Sequence, residues 1–453
     1  MFQKILIANR GEIALRIIKA CQKLKINTIG IYSKADEKAL HTQSADEAYY
    51  VGGSRVAESY LNMDRIIQVA KDTGADAIHP GYGLLSENAD FAEACHAAGI
   101  TFIGPSPEVI KAMGDKIEAR KVMVESGVPV VPGTKKPLKN LEEAVETANK
   151  MGYPIMLKAS AGGGGMGIEV IQDENELNQK FMNNQKRSKS LFSNDEMYLE
   201  KFIKNPRHIE VQILADNYGN TVHLWERDCS IQRHHQKVLE EAPAEFLSDV
   251  TREQLARTAI KAAKSLAYTN AGTIEFLVND NEEIFFLEMN TRLQVEHPIT
   301  EEITGIDIVE EQIRIASGQK LRYSQEDIQS DGHAIEVRIY AEDPVTFFPS
   351  PGTITNISLP EGEKIRHELA VCKDAVVTPF YDPLIGKLIV KGADRQEAIL
   401  MVKHAVEDYV IDGIKTNIPT LKEIVSHPKF NRGELTTNFL REEFNTSSGS
   451  NRR

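Results

Sequence analysis

The most informative segment of the chain lies beyond its middle and reads Ile284-Phe285-Phe286-Leu287-Glu288-Met289-Asn290-Thr291-Arg292-Leu293-Gln294-Val295-Glu296-His297. Its first four residues are apolar, and polar or charged residues then occupy every second position from 288 to 296. Because side chains alternate across an extended backbone, strand spacing would place these polar groups on one face. Carboxylates and an amide offer oxygen ligands to a cation, a guanidinium binds an anion, and a further carboxylate can accept a proton. The pattern predicts the floor of an active site, and its alternative is an exposed sheet face.

A second acidic residue, Glu275, lies in the strand pattern that precedes this segment. Residues 273–278 and 284–289 read as two strands around the polar turn 279–283. If the tip of this hairpin lies between Asn281 and Glu282, antiparallel pairing places Glu275 opposite Glu288. Facing like charges destabilise a ladder unless something neutralises them. We therefore predict a divalent cation at this pair.

A glycine-rich segment follows an apolar strand pattern at residues 154–158. Gly162 to Gly165 and Gly167 lead into the alternating residues 168–171, which resemble a second strand. Both the Rossmann and the Walker A motifs require a helix after their glycines, and the pattern does not predict one here. We predict a glycine hairpin, a flap whose amides close over phosphates. The alternative is an ordinary surface turn.

The two ends of the chain have different patterns. Short apolar strands and a helical periodicity alternate near the N-terminus, which predicts a doubly wound parallel sheet over about residues 1–113. The first turn, Asn9-Arg10-Gly11-Glu12, lacks the glycines of a dinucleotide site, which disfavours a nicotinamide oxidoreductase. Strand-like pieces from about residue 332 and a helical pattern at 395–408 predict a C-terminal α+β unit that ends near 445.

Composition excludes some classes of protein. The chain has 453 residues, 41% of them hydrophobic and 26% charged, with a net charge of −13, as in a soluble globular protein without a nucleic-acid partner. Four widely spaced cysteines are expected to stay reduced in the cytoplasm. We see no signal peptide and no apolar run long enough for a membrane. Residues 446–453 are expected to be disordered.

Taken together, the motifs resemble those of biotin carboxylases, the ATP-grasp components of biotin-dependent carboxylases. They occur in the family's order over residues 1 to about 445, and this ordered set is far more specific than any one motif. The matching stretches are Ala8-Asn9-Arg10-Gly11-Glu12-Ile13-Ala14, His79-Pro80-Gly81-Tyr82-Gly83, Phe102-Ile103-Gly104-Pro105-Ser106, Met113-Gly114-Asp115-Lys116, the glycine hairpin, Arg233-His234-His235-Gln236-Lys237, Glu240-Glu241-Ala242-Pro243 and residues 288–298.

The resemblance implies a multidomain chain of α/β and α+β parts. Residues 1–113 would form a Rossmann-like N-terminal domain that precedes the ATP-grasp domain. Residues 114–325 would form the ATP-grasp domain, with a mobile glycine-rich lid at about 131–204. Residues 331–445 would form the biotin carboxylase C-terminal domain.

The resemblance also assigns roles to individual residues. Glu275, Glu288 and Asn290 would bind Mg²⁺ or Mn²⁺. Glu296 would be the general base and Arg338 would face biotin, with Lys237 and Arg292 as further catalytic residues. ATP would contact Lys116, Lys158, Gly164, Gly165, Glu200, Lys201, Phe202, Ile203, His208, Gln232, His235, Leu277, Glu275 and Glu288. Bicarbonate and biotin would contact Tyr82, Lys237, Arg292, Gln294, Val295, Glu296 and Arg338.

Some alternatives remain open at the level of single residues. Arg338 could instead be a structural ion-pair partner of Glu336 or another nearby carboxylate. Met166 and Glu169 stand at lid positions that are usually basic in the family, which removes positive charge beside the nucleotide. None of these departures affects the metal ligands or Glu296.

The implied reaction is the ATP-dependent carboxylation of biotin by bicarbonate through carboxyphosphate. No Met-Lys-Met biotin-attachment sequence occurs, so we expect biotin on a separate carrier protein and separate carboxyltransferase subunits. The resemblance also implies a homodimer. Acetyl-CoA is the default final acceptor, and pyruvate, propionyl-CoA and urea are alternatives. The competing functions are another ATP-grasp carboxylate–amine ligase and a non-catalytic nucleotide-binding scaffold.

Overall fold

The computed structural model describes residues 1–134, 136–159, 167–192, 194–233 and 236–444. The N-terminal part of the chain is a parallel sheet in the order β3-β2-β1-β4-β5. Its elements are β1 (Lys4–Ile7), α1 (Gly11–Lys23), β2 (Asn27–Ser33), α2 (Leu40–Ser44), β3 (Glu47–Gly52), α3 (Met63–Thr73), β4 (Ala77–His79), α4 (Ala89–Ala97), β5 (Thr101–Phe102) and α5 (Pro107–Gly114).

Both faces of this sheet are buried. Ile5 and Ile7 pack in one core with residues of α1, whereas Leu6 and Ala8 pack in another core with residues of α3. Alternate side chains of a strand point to opposite faces, so helices cover the sheet on both sides. The predicted doubly wound sheet is confirmed.

The next part of the chain contains a small antiparallel sheet in the order β7-β6-β8. Its strands and helices are α6 (Lys116–Glu125), α7 (Leu141–Met151), β6 (Ile155–Ala159), β7 (Ile168–Ile171), α8 (Glu174–Phe192) and β8 (Met197–Lys201). Strands β6 and β7 pair from Ile155 opposite Ile171 to Lys158 opposite Ile168, as expected for a hairpin around the glycines. Gly162 to Gly165 themselves lie outside the described residues.

The largest sheet in the described part of the chain is antiparallel and has the order β13-β12-β9-β10-β11-β14-β19-β17. Its central elements are β9 (Arg207–Ala215), β10 (Thr221–Arg233), β11 (Gln236–Ala242), α9 (Asp249–Ser265), β12 (Asn270–Val278), β13 (Ile284–Asn290), α10 (His297–Thr304) and α11 (Ile308–Ala316). The C-terminal elements are β14 (His333–Tyr340), β15 (Gly352–Thr353), β16 (Asn356–Ser358), β17 (Ile365–Leu369), β18 (Val376–Val377), β19 (Leu384–Gly392), α12 (Arg395–Asp408), β20 (Val410–Asp412), α13 (Ile418–Ser426), α14 (Pro428–Arg432) and α15 (Phe439–Glu443).

Pairing of β11 with β14 joins the central strands to the C-terminal strands in this one sheet. Apolar residues of β14 pack with those of α12 and α13 in the C-terminal core, and polar residues of β14 lie on the opposite side. Three short 3-10 helices at Lys34–Asp36, Val56–Glu58 and Gln325–Asp327 complete the described elements. None of the described helices has both the length and the apolar character needed to cross a bilayer.

Candidate active site

The β12–β13 hairpin places Glu275 opposite Glu288, as predicted. A β-bulge, which the sequence did not reveal, also determines this pairing. Near the turn Val278 pairs with Ile284, which is one residue out of step with the predicted register, and a bulge between Glu275 and Phe276 restores the step. A bulge inserts one extra residue in one strand and redirects the side chains that follow it. The register at the two acids therefore depends on the bulge as well as on the turn.

The predicted extension of this strand through residue 296 is wrong. Strand β13 ends at Asn290, the chain then turns, and Glu296 is the residue immediately before α10. The polar side chains nevertheless converge, because hydrogen bonds gather them. Asn290 Nδ2 and Gln294 Nε2 donate to Glu275 Oε1 at 2.9 and 3.1 Å. The Arg292 guanidinium donates to Asn290 Oδ1 at 2.9 Å and to Gln294 Oε1 at 3.0 Å.

Lys237 on β11 lies at the centre of this convergence. Its Nζ donates to Glu210 Oε2 at 2.6 Å, Glu275 Oε1 at 2.9 Å and Glu296 Oε1 at 2.6 Å. Burial alone would lower the pKa of Lys237, but the acidic groups around it raise that pKa well above its ordinary value. The lysine is therefore a fixed positive charge in the site.

Glu296 is fully buried between two cations. Its Oε2 accepts a hydrogen bond from an Arg338 terminal nitrogen at 2.8 Å, and its Oε1 faces Lys237. Burial raises the pKa of a carboxyl group, but Lys237, Arg338 and Arg227 outweigh burial and hold the pKa of Glu296 well below its ordinary value. Glu296 is thus an anion at neutral pH in this arrangement.

Arg338 is held by two carboxylates. Its Nε donates to Glu240 Oε1 at 2.6 Å, in addition to its contact with Glu296. The ion-pair partners of Arg338 are therefore Glu240 and Glu296, two other nearby carboxylates, and not Glu336. The two acids fix the direction of the guanidinium beside the candidate base.

The predicted metal ligands offer oxygen atoms on one side of the hairpin. Desolvation by the surrounding protein and the facing charge of Glu275 raise the pKa of Glu288, although its side chain is exposed, and a divalent cation between the two acids would relieve that repulsion. Glu275 is already an anion, because Lys237 and His208 outweigh the effect of burial and hold its pKa well below the ordinary value. The donor set fits Mg²⁺, although Asn290 Oδ1 accepts a hydrogen bond from Arg292 in this structure.

His208 connects the metal ligands to the nucleotide residues. Its Nε2 lies 2.9 Å from Glu275 Oε2, and its Nδ1 lies 2.6 Å from Gln232 Nε2. Burial lowers the pKa of a histidine, but Glu275 outweighs burial and raises the pKa of His208. Leu277 is on β12 directly opposite His208 in the sheet. These predicted nucleotide residues therefore lie together beside Glu275.

The remaining predicted nucleotide residues lie on the small sheet and on α6. Lys158 on β6 forms an ion pair with Glu200 on β8, and Lys116 begins α6 within electrostatic reach of Glu288. Lys201 Nζ donates to the carbonyls of residues 151 and 152. Phe202 and Ile203 follow directly after β8. Gly164, Gly165 and His235 lie outside the described residues, as does Met166.

Tyr82 and Val295, two of the predicted substrate residues, both contact a buried ion pair formed by Lys387 and Glu12. The Tyr82 hydroxyl donates to Glu12, and Lys387 Nζ lies 3.2 Å from the same carboxylate. Lys387 Nζ also donates to the carbonyl of Val295 at 2.8 Å. Tyr82 and Val295 therefore contact the same buried Lys387–Glu12 pair.

Sequence reasoning assigned no role to several residues of the site. Glu210 bonds Lys237, and it also bonds Arg227, which is fully buried. Polar residues alternate with apolar ones along β9 at positions 208, 210 and 212, and this pattern would have revealed Glu210. Glu87, which binds Arg292 Nε at 2.9 Å, lies in a loop with no such pattern.

Models of protein families match nearly the whole chain. Residues 1–110 match the N-terminal domain of biotin carboxylase, and residues 336–442 match the biotin carboxylase C-terminal domain. Residues 115–324 match the ATP-binding domain of the carbamoyl-phosphate synthase L chain. The chain belongs to the biotin carboxylase family.

Individual relatives agree with this assignment. The biotin carboxylase of Halalkalibacterium halodurans is 60% identical over 100% of both chains. A pyruvate carboxylase subunit from Methanothermobacter thermautotrophicus is 51% identical over 98% of this chain and 90% of the relative. The biotin carboxylase domain dimer of Hydrogenobacter thermophilus 2-oxoglutarate carboxylase, solved with MgADP, ADP and bicarbonate, has a TM-score of 0.92 at 50% identity, with 98% of each chain covered.

The family defines the class of enzyme and its cofactors. The chain is a biotin carboxylase of a biotin-dependent carboxylase, an ATP-grasp ligase that uses ATP, Mg²⁺ and bicarbonate with biotin on a carrier. The predicted ATP-grasp fold with its Rossmann-like N-terminal part and C-terminal α+β part is confirmed. The acceptor of the complete carboxylase differs among the relatives, so the predicted preference for acetyl-CoA is a separate question.

Proposed function

We propose that Glu296 is the general base of the biotin carboxylation reaction, that Lys237, Arg292, Gln294 and Val295 bind bicarbonate, and that Arg338 and Tyr82 bind biotin. The observation that carries this proposal is the position of Glu296 between Lys237 and Arg338, at 2.6 and 2.8 Å. Two fixed cations beside one buried carboxylate form a pocket for an anion that must also lose a proton.

The depressed pKa of Glu296 has a consequence for the order of events. In the free site both cations stabilise the Glu296 anion, so it is a weak base. A bicarbonate ion that enters beside Lys237 and Arg292 draws Lys237 towards its own charge. Glu296 then shares this cation, its pKa rises, and it accepts the bicarbonate proton. Substrate binding thereby activates the base.

The deprotonated bicarbonate oxygen attacks the γ-phosphorus of ATP, and ADP leaves. Lys116, Lys158, the lid glycines Gly164 and Gly165, and His235 would contact the phosphates, and Glu200 to Ile203, His208, Gln232 and Leu277 would surround the nucleoside. Mg²⁺ on Glu275, Glu288 and Asn290 would neutralise charge that develops on the phosphates. Lys158 is paired with Glu200 in this structure, so ATP would have to take over its charge.

The carboxyphosphate formed in this way breaks into carbon dioxide and phosphate. The phosphate takes the proton of the biotin ureido nitrogen, and the nitrogen then attacks carbon dioxide. Arg338 would stabilise the negative charge on the ureido oxygen, since a guanidinium keeps its charge at any working pH. The ureido proton ends on phosphate, and the proton that Glu296 took from bicarbonate leaves to solvent before the next turnover.

A conservative substitution of the base tests this assignment. We expect Glu296→Gln to lower bicarbonate-dependent ATP hydrolysis about 10²- to 10⁴-fold, the usual contribution of a positioned general base. Glu283→Gln on the exposed hairpin turn is the matched control and should keep the parent rate. ATP hydrolysis by Glu296→Gln at the parent rate would contradict the proposal. Stimulation of the parent by an amino acid, and not by free biotin, would favour a carboxylate–amine ligase instead.

For the complete carboxylase we propose acetyl-CoA as the final acceptor, with a biotin carboxyl carrier protein, carboxyltransferase subunits, a homodimeric arrangement and a cytoplasmic location. The support is that the Halalkalibacterium halodurans relative, named biotin carboxylase without an acceptor, is 60% identical, whereas the pyruvate carboxylase subunit is 51% identical. Extracts of cells depleted of the chain should lose acetyl-CoA-dependent fixation of labelled bicarbonate. Selective loss of pyruvate-dependent fixation would contradict this acceptor.

A further inference from the structure

A second pair of acids faces each other behind the candidate base. Glu240 on β11 and Glu336 on β14 are directly opposite in the antiparallel ladder, and both are fully buried. Opposite residues of such a ladder have their side chains on one face, about 5 Å apart at Cβ. This pair lies where the central strands join the C-terminal strands.

The two acids have unequal surroundings. Glu240 Oε1 accepts from Arg338 Nε at 2.6 Å, whereas neither oxygen of Glu336 has a hydrogen-bond partner among the described residues. The second oxygen of Glu240 also has none within that part of the chain. A buried carboxylate without donors is costly, and a second one facing it adds repulsion.

Cations near the pair are already bound to other acids. Lys387 on β19 is the cation that acts most strongly on Glu336, but its Nζ is engaged by Glu12 of α1 and by the Val295 carbonyl. Arg338 is shared between Glu240 and Glu296. The groups that face the pair are Lys237 of β11, Arg338 and Tyr340 of β14, Lys387 of β19, Glu296 at the start of α10 and Cys229 of β10.

We propose that Glu240 and Glu336 hold one negative charge between them just above neutral pH, with Glu336 as the neutral acid, and that anionic Glu240 is a positioning residue for Arg338. The surroundings of the two acids differ, so one of them is ionised and the other is protonated. Glu240 keeps the charge because it has the guanidinium, and Glu336 keeps the proton because it has no donor. Arg338 is then drawn by both Glu240 and Glu296 and points between them.

The direction of each pKa agrees with this division. Burial raises the pKa of Glu336 well above its ordinary value, and Lys387 offsets this only in part. Burial also raises the pKa of Glu240, to about 7, although Arg338 opposes the rise. As the pH falls through about 7, Glu240 takes a proton as well, and Arg338 loses one of its two anionic partners.

This inference rests on the proposed role of Arg338 at the biotin site, and infrared spectroscopy separates the two ideas. A buried protonated carboxyl group has a carbonyl band that an ionised carboxylate lacks. At a pH about one unit above the Glu240 pKa, we expect this band in the parent protein and a lower intensity of the band in Glu336→Gln. Absence of the band in the parent, or equal intensity in parent and Glu336→Gln, would overturn the proposal whether or not Arg338 binds biotin.

Kinetics with free biotin as acceptor test the positioning role. In the parent, kcat/KM for biotin should fall below about pH 7 as Glu240 takes its proton. Glu240→Gln should lower kcat/KM for biotin about 10-fold or more, chiefly through KM, and should lack this acid limb. ATP affinity measured by calorimetry in the same variant shows that the nucleotide side has folded. A parent-like acid limb in Glu240→Gln would overturn the proposal.

Glu336→Gln supplies the matched comparison, because an amide has nearly the shape of a neutral acid. If Glu336 is neutral, the acid limb in this variant stays at the parent pH. If Glu336 is instead an anion, its removal lets Arg338 and Lys387 lower the Glu240 pKa, and the limb moves to lower pH by about one unit or more. Arg338→Met completes the set, since an unchanged KM for biotin in that variant would refute the biotin role of Arg338 alone.

Discussion

At the scale of single residues, buried ion pairs dominate this molecule. Glu241, next to Glu240 in the sequence, points to the other side of β11 and binds a different set of partners. His333 Nε2 lies 3.0 Å from its Oε2, and Arg395 Nε lies 2.7 Å from the same atom. Burial would raise the pKa of Glu241, but hydrogen bonding to His333 and the charge of Arg395 lower it to about 2. Adjacent acids thus have opposite shifts because alternate side chains meet different neighbours.

A pH-dependent contribution to stability follows from this shift. The folded-state pKa of Glu241 is lower than the ordinary value of 4.5, so its contribution is present above about pH 4.5 and is lost as the pH falls towards 2. We expect Glu241→Gln to lower the free energy of unfolding by about 3 kcal/mol at neutral pH, because buried Arg395 loses its anion. Urea unfolding of parent and variant measures this difference.

The control for Glu241→Gln is Glu245→Gln, which alters an exposed carboxylate 4.0 Å from His333 Nδ1. This control should change the free energy of unfolding by less than about 0.5 kcal/mol. The deficit of Glu241→Gln should be constant between about pH 7 and 5 and should narrow below about pH 4.5. A deficit that widens in acid would contradict the assignment of this stability to the Glu241 anion.

At the scale of elements, the point at which strand β13 ends determines where the polar side chains of the site lie. Strand β13 carries Glu288 and Asn290, and the turn after it carries Arg292 and Gln294 back towards Glu275. The Lys387–Val295 hydrogen bond then holds the turn where α10 begins. A continuous strand would have carried Glu296 away from Glu275, whereas the turn brings it to Lys237. The bulge and the turn are local irregularities that concentrate polar groups at one place.

At the scale of the whole molecule, one sheet spans two of the proposed domains, which we place at residues 114–325 and 331–445. Strand β14 pairs with β11 on one side and with β19 on the other. Glu240 and Arg338, which contact each other across this junction, therefore belong to different sequence regions. The site exists only when the two regions fold together.

Separating the two regions tests this dependence. We expect a fragment of residues 331–445 to associate or aggregate when expressed alone, because β14 would expose an unpaired edge and the buried side chains of Glu336 and Arg338. Size-exclusion chromatography and urea unfolding measure the outcome, with the full chain as control. A monomeric fragment with a cooperative unfolding transition would show that the C-terminal region is independent of β11.

The amino-acid sequence was sufficient to predict the doubly wound N-terminal sheet, the β12–β13 pairing of Glu275 with Glu288, and the family. These features depend on local periodicity and on ordered motifs, which a linear chain displays directly. Assignment of Lys237, Glu296 and Arg338 to one site came from resemblance, since no local pattern relates residues so far apart.

Which charges meet was decided by tertiary packing. The turn after Asn290, the junction of β11 with β14, and the contrast between Glu240 and Glu241 all depend on contacts between distant segments. The physical reason is that a buried charge takes its protonation state from its neighbours in space, and burial magnifies each neighbour's effect. Sequence order identifies the ionisable groups, and packing determines which of them keep a proton.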